Sequence, residues 1–233
     1  MTLLLRRILH LLPLIALLAF CPACGGFFVS ENSIETVTVS PSAVILAAAA
    51  SSTTPGDTYS LSSSATTVAG TATVDTTTAT WTSSAPSTVT VANGANGGNL
   101  SVVGTSGDVT VTITATDGGQ SSTCTVLTYT GTASTSLSIN LPSGVVPTSI
   151  QPGQTIQLTA AAALNGNPNF NLTSFVSWTS SDTTVANVDA TGLVSVLTSA
   201  TVGTTFTVSA TANFGPAASS GSLSETSSTF TII

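Results

Sequence analysis

The chain predicts an all-β fold of two tandem β-sandwiches behind an N-terminal signal segment, and three observations carry that prediction. Apolar residues alternate with Ser or Thr in runs such as Val109-Thr110-Val111-Thr112-Ile113-Thr114-Ala115-Thr116, the period of strands with one buried and one wet face. Gly, Pro and Asn interrupt these runs at short intervals, and no stretch beyond the opening keeps a helical period over a useful length. One block of sequence also occurs twice. Pro55-Gly56-Asp57-Thr58-Tyr59-Ser60-Leu61 matches Pro152-Gly153-Gln154-Thr155-Ile156-Gln157-Leu158, and in both copies a Trp follows 26 positions after the Pro. An ungapped match across a loop marks a true repeat.

Taken in order, the chain opens with Arg6 and Arg7 and then the 13-residue apolar run Ile8 to Phe20. A bilayer-spanning helix needs roughly 20 residues, so residues 1–23 read as a secretory signal. Cys21 and Cys24 are rival acceptors for a lipid. Bulky Phe20 stands before Cys21, whereas small Ala23 precedes Cys24 and Gly25-Gly26 follow it. Cys24 is therefore the favoured lipidation site, and cleavage there without lipid is the plain alternative. The segment resembles a bacterial lipoprotein signal, with Cys21 standing where such signals usually carry Leu. That resemblance implies an exported, lipid-anchored protein of the cell envelope. Gly25 following Cys24 points to the outer membrane or cell surface.

Residues 24–35 mix Gly, Ser and Asn and read as an anchor and tether, with Phe27 and Phe28 near the lipid or under the first domain. The first domain is expected over residues 36–130 and the second over residues 135–233. Each begins with an alternating strand stopped by Pro, Val37-Thr38-Val39-Ser40-Pro41 and Leu137-Ser138-Ile139-Asn140-Leu141-Pro142, as an edge strand allows. Pro-Gly then turns the chain into the next strand. The third strand carries the tryptophan, in Ala79-Thr80-Trp81-Thr82-Ser83-Ser84 and in Val176-Ser177-Trp178-Thr179-Ser180-Ser181. Short strands follow, Val89-Thr90-Val91 with Asn99-Leu100-Ser101-Val102 and Val185-Ala186-Asn187-Val188 with Leu193-Val194-Ser195-Val196. Even Ala160 to Ala163 follows a strand register and ends at Asn165-Gly166.

This order of strand, Trp-Thr-Ser-Ser, short strand and Gly-Leu-Val-type strand resembles the bacterial immunoglobulin-like domains of group 2. The resemblance implies an immunoglobulin-like sandwich in each copy, and about seven strands in roughly 95 residues agree with that size. Trp81, Trp178, Phe206, Phe230 and Cys124 are the expected core side chains. Cys124 in Ser121-Ser122-Thr123-Cys124-Thr125-Val126 matches Phe230 in Ser227-Ser228-Thr229-Phe230-Thr231-Ile232, so it reads as a buried small hydrophobe. Once Cys21 leaves with the signal and Cys24 takes lipid, no disulfide can form within the chain.

Composition removes whole classes of function. The only basic side chains are Arg6 and Arg7 and the only histidine is His10, so beyond the signal there are nine carboxylates and no Lys, Arg or His. Nucleic acid binding neutralises phosphates with Lys and Arg, so no nucleic acid partner is expected. Ser–His and Ser–Lys nucleophiles and histidine metal ligands are equally missing. Carboxylate pairs remain as glycosidases use them, but Asp57, Asp75, Asp108, Asp117, Asp182 and Asp189 mostly stand beside Gly, Ser or Thr, as turn residues do. The expectation is a protein with no catalytic residue, metal or cofactor.

Tandem domains of the resembled family imply a surface module for adhesion or for carbohydrate or protein interaction; a passive spacer or coat component is the alternative. The candidate contact residues are Phe170 and Asn171 in one loop of the second domain and Asn213 and Phe214 in another. Sandwiches of this type bring those two loops to one end. There they either hold a ligand such as a surface glycan or pack against the first domain.

Overall fold

The computed structural model describes residues 33–69, 72–74, 78–132, 136–142, 149–216 and 221–233. The signal segment, Cys24, Phe27, Phe28, Asp75 and most of the tether lie outside the described residues. In the first repeat the strands are β1 Ile34–Ser40, β2 Ala43–Ala47, β3 Thr58–Ser60, β4 Ser62–Thr67, β5 Ala72–Val74, β6 Thr80–Ser83, β7 Val89–Val91, β8 Asn99–Val102, β9 Thr110–Asp117 and β10 Gln120–Tyr129. One layer is built from β1-β4-β5 and β3-β8-β7, and the other runs β2-β10-β9-β6. The chain changes layers at Ser40–Pro41: β1 pairs antiparallel with β4, whereas β2 runs parallel to β10.

Alternation does the sorting between core and water. Val111, Ile113 and Ala115 of β9 point into the sandwich and are fully buried, while the threonines between them face out. Val44, Leu46, Leu61, Trp81, Val89, Leu100, Val102, Cys124 and Val126 complete the same core. The layer begins slightly ahead of the expected boundary. Ile34 belongs to β1, pairs with Thr67 and packs partly against the core.

The second repeat has β11 Leu137–Asn140, β12 Ser149–Ile150, β13 Thr155–Gln157, β14 Thr159–Leu164, β15 Asn167–Asn171, β16 Val176–Ser180, β17 Ala186–Val188, β18 Leu193–Val196, β19 Thr205–Phe206, β20 Val208–Asn213, β21 Ser222–Thr226 and β22 Phe230–Ile232. Its groups β11-β14-β15, β13-β18-β17, β16-β20-β21 and β12-β22-β19 reproduce the same pairings. The chain is therefore all-β and immunoglobulin-like in both halves.

Strands expected to be continuous are broken, for reasons that recur. Leu61 and Leu158 each interrupt the second long strand, and their N–H groups donate to Gly98 O at 3.0 Å and Gly192 O at 2.9 Å. Those two glycines have φ of +82° and +79°, and a Cβ on either would sit 3.1 Å from the nearest Trp ring carbon. Only glycine combines that backbone conformation with so close an approach. In the last strand of the second repeat, Ser227 displaces the ladder: its N–H donates to Val208 O at 2.8 Å and its hydroxyl accepts Val208 N–H at 3.0 Å.

That break corrects one equivalence drawn from sequence. Trp81 lies opposite Ala115 and Trp178 opposite Ala210. Counting from these positions, Cys124 faces Ile113, but Phe230 faces Phe206, two residues further along its strand. Val126, and not Cys124, is thus the counterpart of Phe230. Cys124 and Phe230 are nevertheless both buried, and Phe230 stacks on Phe206 with ring centroids 5.0 Å apart.

Candidate functional site

The place where chemistry and geometry converge is the joint between the two sandwiches, and β2 creates it. Ala43-Val44-Ile45-Leu46-Ala47 is apolar throughout. Val44 and Leu46 enter the first core, while Ile45 points the opposite way and is also fully buried. A strand that is apolar on both faces must be covered on both. On β10, Leu127 and Tyr129 continue this outward apolar face beside Ile45, because Leu127 pairs with Ile45 and Tyr129 with Ala47. Ile45, Leu127 and Tyr129 then join Leu164, Leu172, Val176, Ala210, Ala212 and Phe214 of the second repeat in one cluster. The two repeats share a core.

Phe214 is the centre of the contact. It is 2% exposed, and its ring meets the Tyr129 ring edge-on with centroids 6.2 Å apart. Aromatic pairs favour this edge-to-face arrangement. Beside it, Gly215 N–H donates to Ile45 O at 2.8 Å, and Phe214 forms a parallel bridge with Ile45. The second repeat thereby covers the open edge of β2, which would otherwise present an unpaired backbone.

Asp57 covers the same edge from within. Only 6% exposed, it accepts the Ala47 N–H on Oδ2 at 2.8 Å, while its own N–H donates to Ala47 O at 3.0 Å. A Cβ on Gly215 would overlap the Asp57 carboxylate, so any larger residue there has to displace Asp57 from the edge of β2. The Tyr129 phenol is held above its ordinary range by burial and then by the Asp57 charge. At the rim, the Asn165 side chain accepts the Thr130 N–H at 2.7 Å and donates its amide to Asp108. Asn165 has φ of +53° and begins the Asn165-Gly166 turn between β14 and β15, a conformation Asn tolerates better than most residues.

The other sequence-selected residues are placed as follows. Phe170 on β15 is half-buried and packs on the shared cluster. Asn171 is exposed and accepts the Thr173 N–H at 2.9 Å, an Asx turn leading into the short helical turn Thr173–Phe175. Asn213 is half-buried at the end of β20, opposite Ser222. Phe170 and Phe214 thus lie on the same cluster, while Asn171 is spent on its local turn. Trp81 is 2% exposed, Phe206 and Phe230 are buried, and Trp178 is only half-buried. Burial pushes the Cys124 thiol up to about 12, which keeps it in the unreactive protonated form.

Among the described residues, no three His, Cys, Asp or Glu side chains cluster as metal ligands. Asp182, half-buried, and Asp189, exposed, are both turn caps. Asp182 Oδ1 accepts the Thr184 hydroxyl and N–H, and Asp189 Oδ1 accepts the Thr191 hydroxyl and N–H and the Leu193 N–H. Hydrogen bonds from Thr184 and Thr191 hold both carboxyls below their ordinary range. A shallow groove of about 870 Å³ lies over β3, β7 and β8 beside Pro216. It is lined by Ser, Thr and Asn along with apolar residues, and it brings no carboxylates together.

Sequence reasoning found Phe214 and missed the surface that receives it. Ile45, Leu127, Tyr129, Asp57 and Asn165 were not singled out as contacts, yet two of the signals were present. The unbroken apolar runs at residues 43–50 and at Val126-Leu127 depart from the alternation seen elsewhere, and such a departure marks burial on both faces.

Solved structures that resemble the chain include the S-layer protein SbsC, domains 5-6, at 20% identity over 86% of this chain and 97% of that one, with a TM-score of 0.34. Mouse cadherin-23 EC22-24 is 16% identical over 85% of this chain and 67% of that one, TM-score 0.31. Drosophila N-cadherin EC1-4 is 13% identical over 84% and 49%, TM-score 0.29. These likenesses concern fold alone. A comparison with curated proteins returns no match. Residues 143–220, in the second half of the chain, match the bacterial Ig-like domain (group 2).

Proposed function

We propose that this protein is a non-enzymatic module of the cell envelope, held to the membrane by lipid on Cys24 and presenting its two sandwiches as one body for adhesion or for glycan or protein interaction. The observation that carries this reading is the shared core: Ile45, Leu127 and Tyr129 of one repeat complete the cluster around Phe214 of the other. A module joined this way transmits force and holds its outer faces at a fixed angle. The lipoprotein-type N-terminus and the Ig-like family of the second half support the surface location. The absence of Lys, Arg and His beyond residue 10 supports a non-catalytic role.

A passive spacer is the second reading, and one detail favours it: the Phe214 ring packs on Tyr129 and is not left free for a ligand at that loop. Cys24→Ala separates the anchor from the alternatives. Fractionation of the variant, with mass measurement of the mature N-terminus, should give uncleaved precursor or released protein, because stable anchoring takes more than one acyl chain. Processing and fractionation like the parent protein would remove the lipid anchor from the account.

A further inference from the structure

Beyond the joint, the outward face of the first sandwich carries an ordered array of hydroxyls. Three cross-strand rows lie side by side on β10, β9 and β6: Ser121-Thr116-Thr80, Thr123-Thr114-Thr82 and Thr125-Thr112, the last extended by Ser84. Strand geometry spaces these positions roughly 5 Å across the sheet and roughly 7 Å along it. A Ser or Thr hydroxyl both donates and accepts, so the face offers alternating donors and acceptors with no charge among the nine.

The second sandwich shows what distinguishes this face. Its equivalent rows contain Thr226 beside Ser209 and Ser224 beside Thr211. There the hydroxyls bond each other across the strands, at 2.9 Å and 2.8 Å. Of the nine hydroxyls in the first sandwich's rows, only that of Ser84 has a partner among the described residues, the Thr112 N–H at 2.9 Å. The other eight are directed to solvent. The array is continuous with the joint, because Leu127 and Tyr129 extend the outward face of the same β10 strand to where the second sandwich sits.

We infer that this hydroxyl array is the ligand surface of the module and that its ligand is an uncharged polysaccharide lying along the sheet. The chemistry selects the class. A neutral polyol can exchange its water for hydroxyl partners on the face, whereas the face gives a polyanion no cation to meet. The second sandwich closes one end of the surface and so limits how the polymer lies. This assignment rests on the surface-module reading but is tested apart from the anchor.

Purified protein lacking the signal is incubated with cellulose, chitin and an insoluble neutral glucan, with a sulfated glycan as the charged comparison. Retention on at least one neutral polymer and none on the sulfated one is expected. Thr82→Val, Thr114→Val and Thr116→Val together keep the β-branched shape and remove three hydroxyls. Retention should fall about tenfold or more, since each hydrogen bond contributes a modest increment. Thr114→Arg, which adds bulk and charge, should abolish it, and circular dichroism verifies that each variant folds. Thr179→Val with Thr211→Val on the second sandwich should leave retention unchanged. No retention of the parent protein, equal loss on both sandwiches, or concentration-dependent dimerisation abolished by Thr114→Arg with no glycan retained would each overturn the assignment. Failure of the Cys24→Ala test with glycan retention intact would remove the anchor and leave this surface standing.

Discussion

Trp81 and Trp178 occupy the same position of the same repeat, yet they do different work. Each lies opposite an alanine of the neighbouring strand and under a glycine with positive φ. Trp81 is buried, and its indole N–H has no hydrogen-bond partner among the described residues. Its backbone is clamped instead: Asn93 Oδ1 accepts the Trp81 N–H at 2.6 Å and the Asn93 amide donates to Trp81 O at 2.9 Å. Trp178 is half-buried and touches both clusters of the second sandwich, and its indole donates to Thr173 O at 3.1 Å. That carbonyl belongs to the helical turn that rests on β2 and β10 of the first sandwich. The first repeat is closed by its own core, whereas the second is closed partly by its neighbour.

The faces of the two repeats repeat this lesson. The strand pairings put Ser149 where the first repeat has Ile45 and Thr231 where it has Leu127. Ile233, at the position of Tyr129, is 55% exposed. The apolar pair Ile45 and Leu127 at the centre of the receiving face in one copy has become the hydroxyl pair Ser149 and Thr231 in the other. The joint is therefore a property of these side chains and not of the fold.

The largest effect that would sharpen this contrast is expected at Trp81. Trp81→Ala should cost about 3–5 kcal/mol, the range for truncating a buried aromatic. Trp178→Ala should cost less, because less area leaves water on folding and the loss scales with area. Chemical denaturation of both variants measures the difference, and equal losses would erase the distinction between the two copies.

A smaller effect is expected at the rim of the joint. Asn165→Ala removes the contacts to Thr130 and Asp108, one of them to a charged group, and should cost about 1–2 kcal/mol. Small-angle scattering should show the angle between the sandwiches broadened, while each keeps its strand content. An unchanged envelope would make the clasp incidental.

The smallest effect concerns acid. Asp189 is held below the ordinary carboxylate range by Thr191 and Leu193. Its stabilising contribution is therefore present above that range and is lost as pH falls through the depressed value. Being fully exposed, it contributes little. Asp189→Asn should flatten the acid limb of the stability profile slightly and leave neutral pH nearly unchanged; an altered joint at neutral pH would mean the turn reaches further than its own hydrogen bonds.

How much of this was legible beforehand follows from where the information sits. Alternation in Val109–Thr116 and the repeated Pro-to-Trp spacing are local, and they led directly to the strands and the layered fold. Phe214 was visible as an aromatic on an otherwise polar loop. Its partner was not, because Tyr129 meets it only after β2 and β10 pair in parallel and the two repeats come together. Asp57 read as a turn residue, and it is one. Its second role at the edge of β2 depends on Gly215, more than 150 residues away. The equivalence of Cys124 and Phe230 misled because a matching hexapeptide conceals a strand break at Ser227.

The central claim is that the first sandwich completes the core of the second. Ile45→Asp tests it most directly, since Ile45 lies outside the first repeat's own cluster and inside the shared one. Hydrogen exchange on the intact protein should then show lost protection in β14 and β20 of the second repeat, with β9 and β4 of the first largely retained. Protection in β14 and β20 equal to that of the parent protein would contradict the account and make the two sandwiches independent.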